Sequence, residues 1–297
     1  MTSNAPRDDA GPTLAVDLGG THMRCAVVEP DGSVHDRREA ATPHDGTGTS
    51  ALVELMRSVH SAVPCTRAVV GVPGRVDYRR GVLEHAPNLP AGWLPTLTES
   101  HLEGALGLAV ALANDADLAA VGEARSGAGR EHSDVAYLTI STGIGAGVVL
   151  SGLLVHGRRS LAEVGHTVIA LDRLAAGQPA TLEDLASGTA LSRQAAAAGF
   201  GLGRDVLAGV REGDASATAI WSELVRAAAV GVVNLAWSFS PNLIVIGGGV
   251  GLVGDMLLAP LREAVSRDGP PLVDPPIAIL PAQLGDDAGL VGAAGWH

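Results

Sequence analysis

A strand that ends beside a carboxylate, turns on two adjacent glycines and leaves at once as a second strand is the feature that most narrows what this chain can become. It runs Leu14-Ala15-Val16-Asp17-Leu18-Gly19-Gly20-Thr21-His22-Met23-Arg24-Cys25-Ala26-Val27-Val28. Glycine carries no Cβ, so backbone N–H groups at Gly19 and Gly20 can come close to a ligand, and Thr21 adds a hydroxyl. Such a turn suits an anion, and Asp17 beside it suits a hydrated divalent cation. Taken singly, the same residues also read as an ordinary hairpin.

A second copy gives the first its weight. Ala136-Tyr137-Leu138-Thr139-Ile140-Ser141-Thr142-Gly143-Ile144-Gly145-Ala146-Gly147-Val148-Val149-Leu150 is again an apolar strand, a hydroxyl- and glycine-rich turn, and an apolar strand. Both copies continue into a turn, Pro30-Asp31-Gly32 and Ser151-Gly152. Two such hairpins predict a duplicated α/β unit with its turns facing across a cleft, where a nucleotide's phosphates are gripped from both sides.

Composition excludes several alternatives. Lysine is absent and all 20 basic residues are arginines, which rules out a P-loop NTPase and Schiff-base chemistry. A net charge of −12 without an arginine run argues against nucleic-acid binding. With 46% hydrophobic and 18% charged residues, the 297-residue chain is globular, with one large core or two ordinary ones. Cys25 and Cys65 sit in apolar segments without CxxC spacing and read as buried small hydrophobes. Residues 1 to 12 read as a disordered leader without the apolar core of a signal peptide, and no apolar run of about 20 residues stands out, so a cytoplasmic protein away from the membrane is expected.

Along the chain, helical spacing appears over Thr47 to Val63, and Arg67 to Val72 is a strand broken by Pro73-Gly74. Gly81 to Trp93 reads as irregular, with Asn88 stiffened between prolines. Leu108 to Ala113 is a strand stopping at Asn114-Asp115, with a helix over Ala116 to Arg125, and local sequence favours Asp115 as its cap. A loop from Ser160 to Ala180 precedes helices at Leu182 to Ala198, Asp205 to Arg211 and Ser216 to Phe239. Leu243 to Ile246 is a buried strand leading into Gly247-Gly248-Gly249-Val250-Gly251 and a helix near Asp255 to Arg267. Gly249 to Gly254 matches a dinucleotide fingerprint, but the next strand, Ile277 to Leu280, ends without an acid to hold a ribose, so those glycines fit a close approach to adenosine better. Asp286 to Trp296 reads as a terminal helix.

These pieces resemble, in order and spacing, the ROK family of sugar kinases and repressors. The resemblance rests on Asp17 to Thr21, Val72-Pro73-Gly74, Ala86-Pro87-Asn88-Leu89, Asn114-Asp115-Ala116, Ser141 to Gly147, Glu163-Val164-Gly165-His166, Leu182-Glu183 before Ala186-Ser187-Gly188, and Ile246-Gly247-Gly248-Gly249. Bacterial glucokinases are the nearest likeness within it. The resemblance implies an α/β, two-domain, actin-like (ribonuclease H-like) sugar kinase fold with a duplicated βββαβα unit. A smaller domain over 13–112 would carry the terminal helix 286–297 packed back on it, and 113–285 would form the larger. It implies ATP-dependent phosphorylation of a hexose, glucose first, with Asp115 as general base. Asn114, Glu163, His166 and Glu183 would hold sugar hydroxyls, with Gly74 and Asn88 lining the pocket. Gly19, Gly20, Thr21, Thr142 and Gly143 would contact phosphates, Gly247, Gly248 and Gly249 would wall the adenosine, and Asp17 would orient Mg²⁺ through water. A homodimer or larger is implied as well. The chemistry agrees: a carboxylate with an ordinary pKa near 4 is ionised at neutral pH and accepts a hydroxyl proton late in phosphoryl transfer.

One departure is large. Relatives with a structural zinc place three cysteines after the Glu-x-Gly-His histidine, whereas Thr167 to Thr181 contains none, so no zinc is expected and another hexose, fructose or an amino sugar competes with glucose. The phosphoryl donor, ATP or polyphosphate, is also open. Two non-enzyme readings compete: a repressor, which would need a DNA-binding domain ahead of Thr13 where only 12 residues stand, and a non-catalytic sugar sensor, against which Asp115 and both hairpins weigh.

Overall fold

A computed structural model describes residues 11–271 and 275–296; the proposed leader lies largely outside these, as does His297 of the terminal helix. The chain divides into two compact units, one comprising residues up to Gly127, Leu154–Leu161 and the segment from Asp286 on, the other Ala128–Leu153 and Ala162–Gly285.

In the first unit, β1 (Thr13–Leu18), β2 (His22–Val28) and β3 (Val34–Ala41) form an antiparallel meander, followed by α1 (Gly48–His60) and β4 (Arg67–Val72). A two-stranded ribbon of β5 (Arg75–Asp77) and β6 (Val82–His85), helix α2 (Glu99–Leu106), strand β7 (Ala109–Asn114) and helix α3 (Asp115–Ser126) complete it before the chain leaves. The sheet order is β3-β2-β1-β4-β7, with β4 and β7 parallel to β1. Strand β1 is central and buried on both faces, which is why it reads as a nearly continuous apolar run. Leu14, Val16 and Leu18 pack with Leu52, Met56 and Val59 of α1 on one face. Ala15, with Ala26, Val69 and Ala113, meets Leu118, Leu290 and Ala293 on the other. Edge strand β3 carries Asp36, Arg37, Arg38 and Glu39 at exposed positions, the charge pattern that keeps an open edge from pairing.

The second unit repeats the pattern. Strands β8 (Val135–Ile140), β9 (Ile144–Leu150) and the short β10 (Leu153–Leu154) are followed by α4 (Leu171–Ala175), α5 (Leu182–Ala186), α6 (Gly188–Ala197), α7 (Gly203–Glu212) and α8 (Ala215–Phe239). Then come β11 (Leu243–Gly247), α9 (Gly248–Gly251), α10 (Asp255–Asp268) and β12 (Ala278–Pro281). Its sheet order is β10-β9-β8-β11-β12, with β9 antiparallel to β8, and β11 and β12 parallel to it, as β2, β4 and β7 stand to β1. Each copy extends the expected βββαβα unit by one further strand and helix.

Several elements differ from the sequence expectations. Gly81 to Trp93 is not wholly irregular, because Val82–His85 pairs with Arg75–Asp77. The helix expected from Leu182 to Ala198 breaks at Ser187, whose extended backbone ends α5 while its hydroxyl caps α6 through the N–H of Ala190. Helix α2, with Thr98 as cap and Gly107 left-handed behind it, lies in a stretch assigned no element. The first unit also runs through α3 to Gly127, since Leu118 of α3 belongs to its core. Among the described residues α8, at 25 residues, has the length and hydropathy of a bilayer span, against the expectation that no such run exists. Half of its most apolar window is buried, and it packs against α5, α7 and α10, so a core helix accounts for its composition.

The last helix, α11 (Ala288–Ala294), returns to the first unit and packs on α3. Asp286 and Asp287 just ahead of it pair with Arg24 and Arg37 at 3.2 and 2.6 Å. The two helices touch backbone to backbone: a Cβ on Gly292 would run into the carbonyl of Leu118, and one on Gly122 into that of Ala288. Gly292→Ala should therefore force the helices apart and cost about 1–3 kcal/mol, where an exposed helical Gly→Ala change would stabilise. Urea unfolding of Gly292→Ala beside Gly104→Ala, whose Cβ would meet nothing within 4 Å, measures the contrast.

Candidate functional site

Asp17 lies one residue from the end of β1, opposite Arg24 of β2 in the ladder, with Arg24 Nη1 3.3 Å from its Oδ2. Burial pushes its carboxyl pKa up, and Arg24 opposes this. The turn that follows is closed by the N–H of Gly19 donating to the carbonyl of His22 at 2.9 Å. Its outer carbonyls are all engaged. Gly19 O accepts the hydroxyl of Thr42 at 2.7 Å, Gly20 O lies 3.1 Å from Nε2 of His44, and Thr21 O accepts the N–H of Thr42 at 2.8 Å. In a trans peptide the C=O and the following N–H point opposite ways. Fixing the carbonyls of Gly19 and Gly20 on the 42–44 segment therefore aims the N–H groups of Gly20 and Thr21 the other way, as an anion requires. Thr42 and His44 were not candidates from the sequence, where no motif spacing marks them.

Asn88 sits against this turn, since a Cβ on Gly20 would meet its carbonyl at 2.9 Å. Gly74, at φ +127°, fits only without a Cβ, which would strike His85. Its carbonyl accepts Nδ2 of Asn114 at 2.9 Å. Asn114, not Asp115, caps α3: its Oδ1 accepts the N–H groups of Ala116 at 3.0 Å and Asp117 at 3.1 Å. The cap expected of Asp115 is thus supplied one residue earlier, because Asn114 has the extended backbone a cap needs while Asp115 is already helical. Asp115 Oδ1 accepts the adjoining N–H of Ala116 at 2.9 Å. Burial, then the charges of Asp17 and Asp117, push its carboxyl pKa up to about 7, well above the ordinary value near 4 that the sequence implied.

In the second unit the same device recurs. Ser141 O accepts the N–H of Gly188 at 2.6 Å, and Thr142 O accepts both the N–H and the hydroxyl of Thr189, at 3.2 and 2.8 Å. The start of α6 thereby turns the N–H groups of Thr142 and Gly143 outward. Glu183 Oε2 accepts the N–H of Ile144 at 2.7 Å and lies over Gly143. The turn Val164–His166 is docked on Ile144 through Gly165, where a Cβ would not fit. Glu163 and His166 are exposed there, their Oε2 and Nε2 4.0 Å apart. The cysteine-free loop is closed by Ile169 N–H to Ala180 O and Leu182 N–H to Thr167 O, both 2.9 Å, and by a capping box between Thr181 and Asp184. Among the described residues no group of three or more His, Cys, Asp or Glu side chains is placed to hold a metal ion. Gly247 and Gly248 end β11 where a Cβ would strike Tyr137 and the carbonyl of Ile140, and Gly248 has φ +81°. A Cβ on Gly249 would meet nothing within 4 Å.

The sequence pattern of the ROK family matches residues 13–297. The glucokinase of Streptomyces coelicolor is 32% identical, covering 96% of each chain. The N-acetylmannosamine kinase of Escherichia fergusonii is also 32% identical, covering 95% of this chain and 97% of its own. A ROK family glucokinase from Streptomyces griseus, solved with glucose and AMPPNP, superposes with a TM-score of 0.79 at 33% identity, covering 96% of this chain and 98% of that one.

Asp115 makes stability depend on pH in a definite direction. Its folded pKa, about 7, exceeds its unfolded value near 4, so between those limits the folded state holds more proton and its stability falls as pH rises. Asp115→Asn removes this slope. The variant should match the wild type near pH 4.5 and exceed it at pH 8, by on the order of 2–4 kcal/mol. Thermal unfolding of both from pH 4.5 to 8 checks this, and parallel curves would contradict it.

Proposed function

This chain belongs to the ROK family and is a sugar kinase using ATP; we propose that its sugar is glucose, phosphorylated on a hydroxyl that gives its proton to Asp115. The observation that carries the reading is the state of Asp115: relieved of capping by Asn114, half-buried, and raised toward neutrality by desolvation and by the nearby charge of Asp17. A base whose pKa lies near the working pH accepts a proton well as the oxygen of the attacking hydroxyl loses its charge to phosphorus. In this reading Asn114, Gly74 and Asn88 line the sugar site, and Glu163, His166 and Glu183 bind sugar hydroxyls. The outward N–H groups of Gly20, Thr21, Thr142 and Gly143 receive phosphate oxygens, and Gly247 to Gly249 pass close to the adenosine.

Asp17 offers one half-buried carboxylate shared with Arg24, which fits a magnesium ion held mostly by phosphates and water and not by a protein cage. Bound there, Mg²⁺ would neutralise charge on the transferring phosphate. The loop over 167–181 holds no soft ligand set, and its backbone bridge and capping box supply the order that zinc gives elsewhere.

Glucose is favoured by the likeness to glucokinases and by the glucose-bound neighbour; the N-acetylmannosamine kinase relative keeps that sugar as the second reading. ADP release with ATP over glucose, mannose, fructose, glucosamine and N-acetylmannosamine should give the highest kcat/KM for glucose. A higher value for N-acetylmannosamine would overturn the sugar and leave the kinase. Asp115→Asn should lower kcat on the order of 10²-fold or more with little change in sugar binding. An active Asn variant would remove Asp115 as base. Elemental analysis should find well under one zinc per chain.

A further inference from the structure

Asp77 and Asp117, both in the first unit, are wholly buried carboxylates that the reaction above does not use. Between them stands Tyr78. We propose that Tyr78 and Asp117 are positioning residues for phosphoryl transfer: they fix the Asn114–Asp115 corner, and the strap Leu154–Leu161 fixes them. The inference rests on Asp115 being the base.

The bonds form a closed ring around that base. The Tyr78 hydroxyl donates to Asp117 Oδ2 at 2.6 Å and accepts the backbone N–H of Asn114 at 3.2 Å. The backbone N–H of Asp117 returns to Asn114 Oδ1 at 3.1 Å. Asp115 lies along the chain between these fixed points, with the Ala113–Asn114 peptide pinned by a phenol and the following turn pinned by the cap. A base displaced by about 1 Å can lose on the order of 10²-fold in rate, so a device fixing the backbone on both sides of Asp115 acts on turnover directly.

The ring is in turn anchored by the strap. Ser160 Oγ donates to Asp117 Oδ1 at 3.1 Å, so both oxygens of that carboxylate receive hydroxyls. The Tyr78 backbone N–H donates to Arg158 O at 2.9 Å, and its ring meets His156 and Trp296 edge-on at 5.2 and 5.3 Å. Arg158 grips Asp77 through Nε and Nη2 at 2.8 and 2.6 Å, and Arg159 grips Glu84 at 2.6 and 2.7 Å. The Arg158 guanidinium holds Asp77 ionised, below the usual carboxylate range. Stability alone does not call for this arrangement, because buried charges and hydrogen-bonded carboxylates are often replaced by apolar groups without loss. What they add is one geometry. The strap's neighbours on both sides, up to Leu153 and from Ala162, belong to the second unit, and Glu163 follows Leu161 by two residues. The segment that fixes the base is therefore continuous in sequence with a proposed sugar ligand.

Tyr78→Phe keeps the ring and deletes the hydroxyl; Ser160→Ala deletes the strap's bond to Asp117. With the best sugar of the panel and ATP, Tyr78→Phe should lower kcat about 10-fold or more while both KM values stay within about threefold. Ser160→Ala should lower kcat less, and the double variant should fall short of the product of the two losses because both act through Asp117. A structural role alone would lower the melting temperature and leave kcat per folded molecule unchanged. Tyr78→Phe within twofold of wild type, or independent losses in the double variant, overturns the inference and leaves Asp115 as base. Failure of that base shows differently, as an active Asp115→Asn or as a wild type that turns over no sugar, and takes the inference with it.

Discussion

Both halves of this molecule depend on one property of the peptide bond, that its carbonyl and N–H point opposite ways. A glycine turn left to itself can rotate its peptide planes freely, and its value as an anion site would be lost to entropy. Here the planes are tethered from behind. Thr42 and His44 hold the carbonyls of the first turn, and Gly188 and Thr189 hold those of the second. The tether differs in kind, a strand exit in one unit and a helix start in the other, yet the result is the same pair of outward N–H groups. Duplication of a βββ hairpin core fixes where the turns stand; unrelated neighbouring segments make them rigid.

The first unit assigns its polar residues by the partner each is given. Asn114 spends its oxygen on two helix N–H groups and its amide on Gly74, so it stitches the end of β7 to the loop after β4. That use of Asn114 leaves Asp115 the first helical residue instead of the cap. A carboxylate at a cap would be bonded to N–H groups and held ionised; one residue further on, with burial dominating, it is held near neutrality.

Much of this was legible in the sequence, and what was not has a common physical cause. Strands β1, β4, β8 and β11 announce themselves because they are buried on both faces and run nearly continuously apolar. Both glycine turns and the Asn114-Asp115 pair are local patterns and could be read locally. Ser187 could not be read as a helix break, since serine is compatible with a helix interior and only its pairing with Ala190 decides otherwise. The cap was misplaced by one residue because Asn and Asp cap almost equally well and the backbone at Asn114 settles which one does. Thr42, His44, Tyr78 and Ser160 act on residues 21 to 43 positions away. No periodicity carries such a relation. The return of the strap to the first unit is invisible for the same reason; that of α11 is implied only by the family resemblance, although the small residues Gly122, Gly289, Gly292 and Ala293 that permit it are plain to see.

Three acidic side chains in one unit make the last point, because they share a surrounding and differ in fate. Asp77 is wholly buried and meets a guanidinium, which keeps it charged and makes it an anchor. Asp117 is wholly buried and receives hydroxyl donors from Tyr78 and Ser160, bonds that fix its direction. Asp115, where desolvation outweighs its backbone hydrogen bonds and Asp17 and Asp117 are nearby, has its pKa carried to about 7. Asp77 and Asp115 are groups of the same chemistry whose environments push their pKa values apart, the pattern that in the proposed reading separates an anchor from a proton acceptor. The cost of desolvating Asp115 is borne by the folded state above neutral pH, and the proposed role of the bonds around Asp77 and Asp117 is to hold the backbone beside it in one geometry.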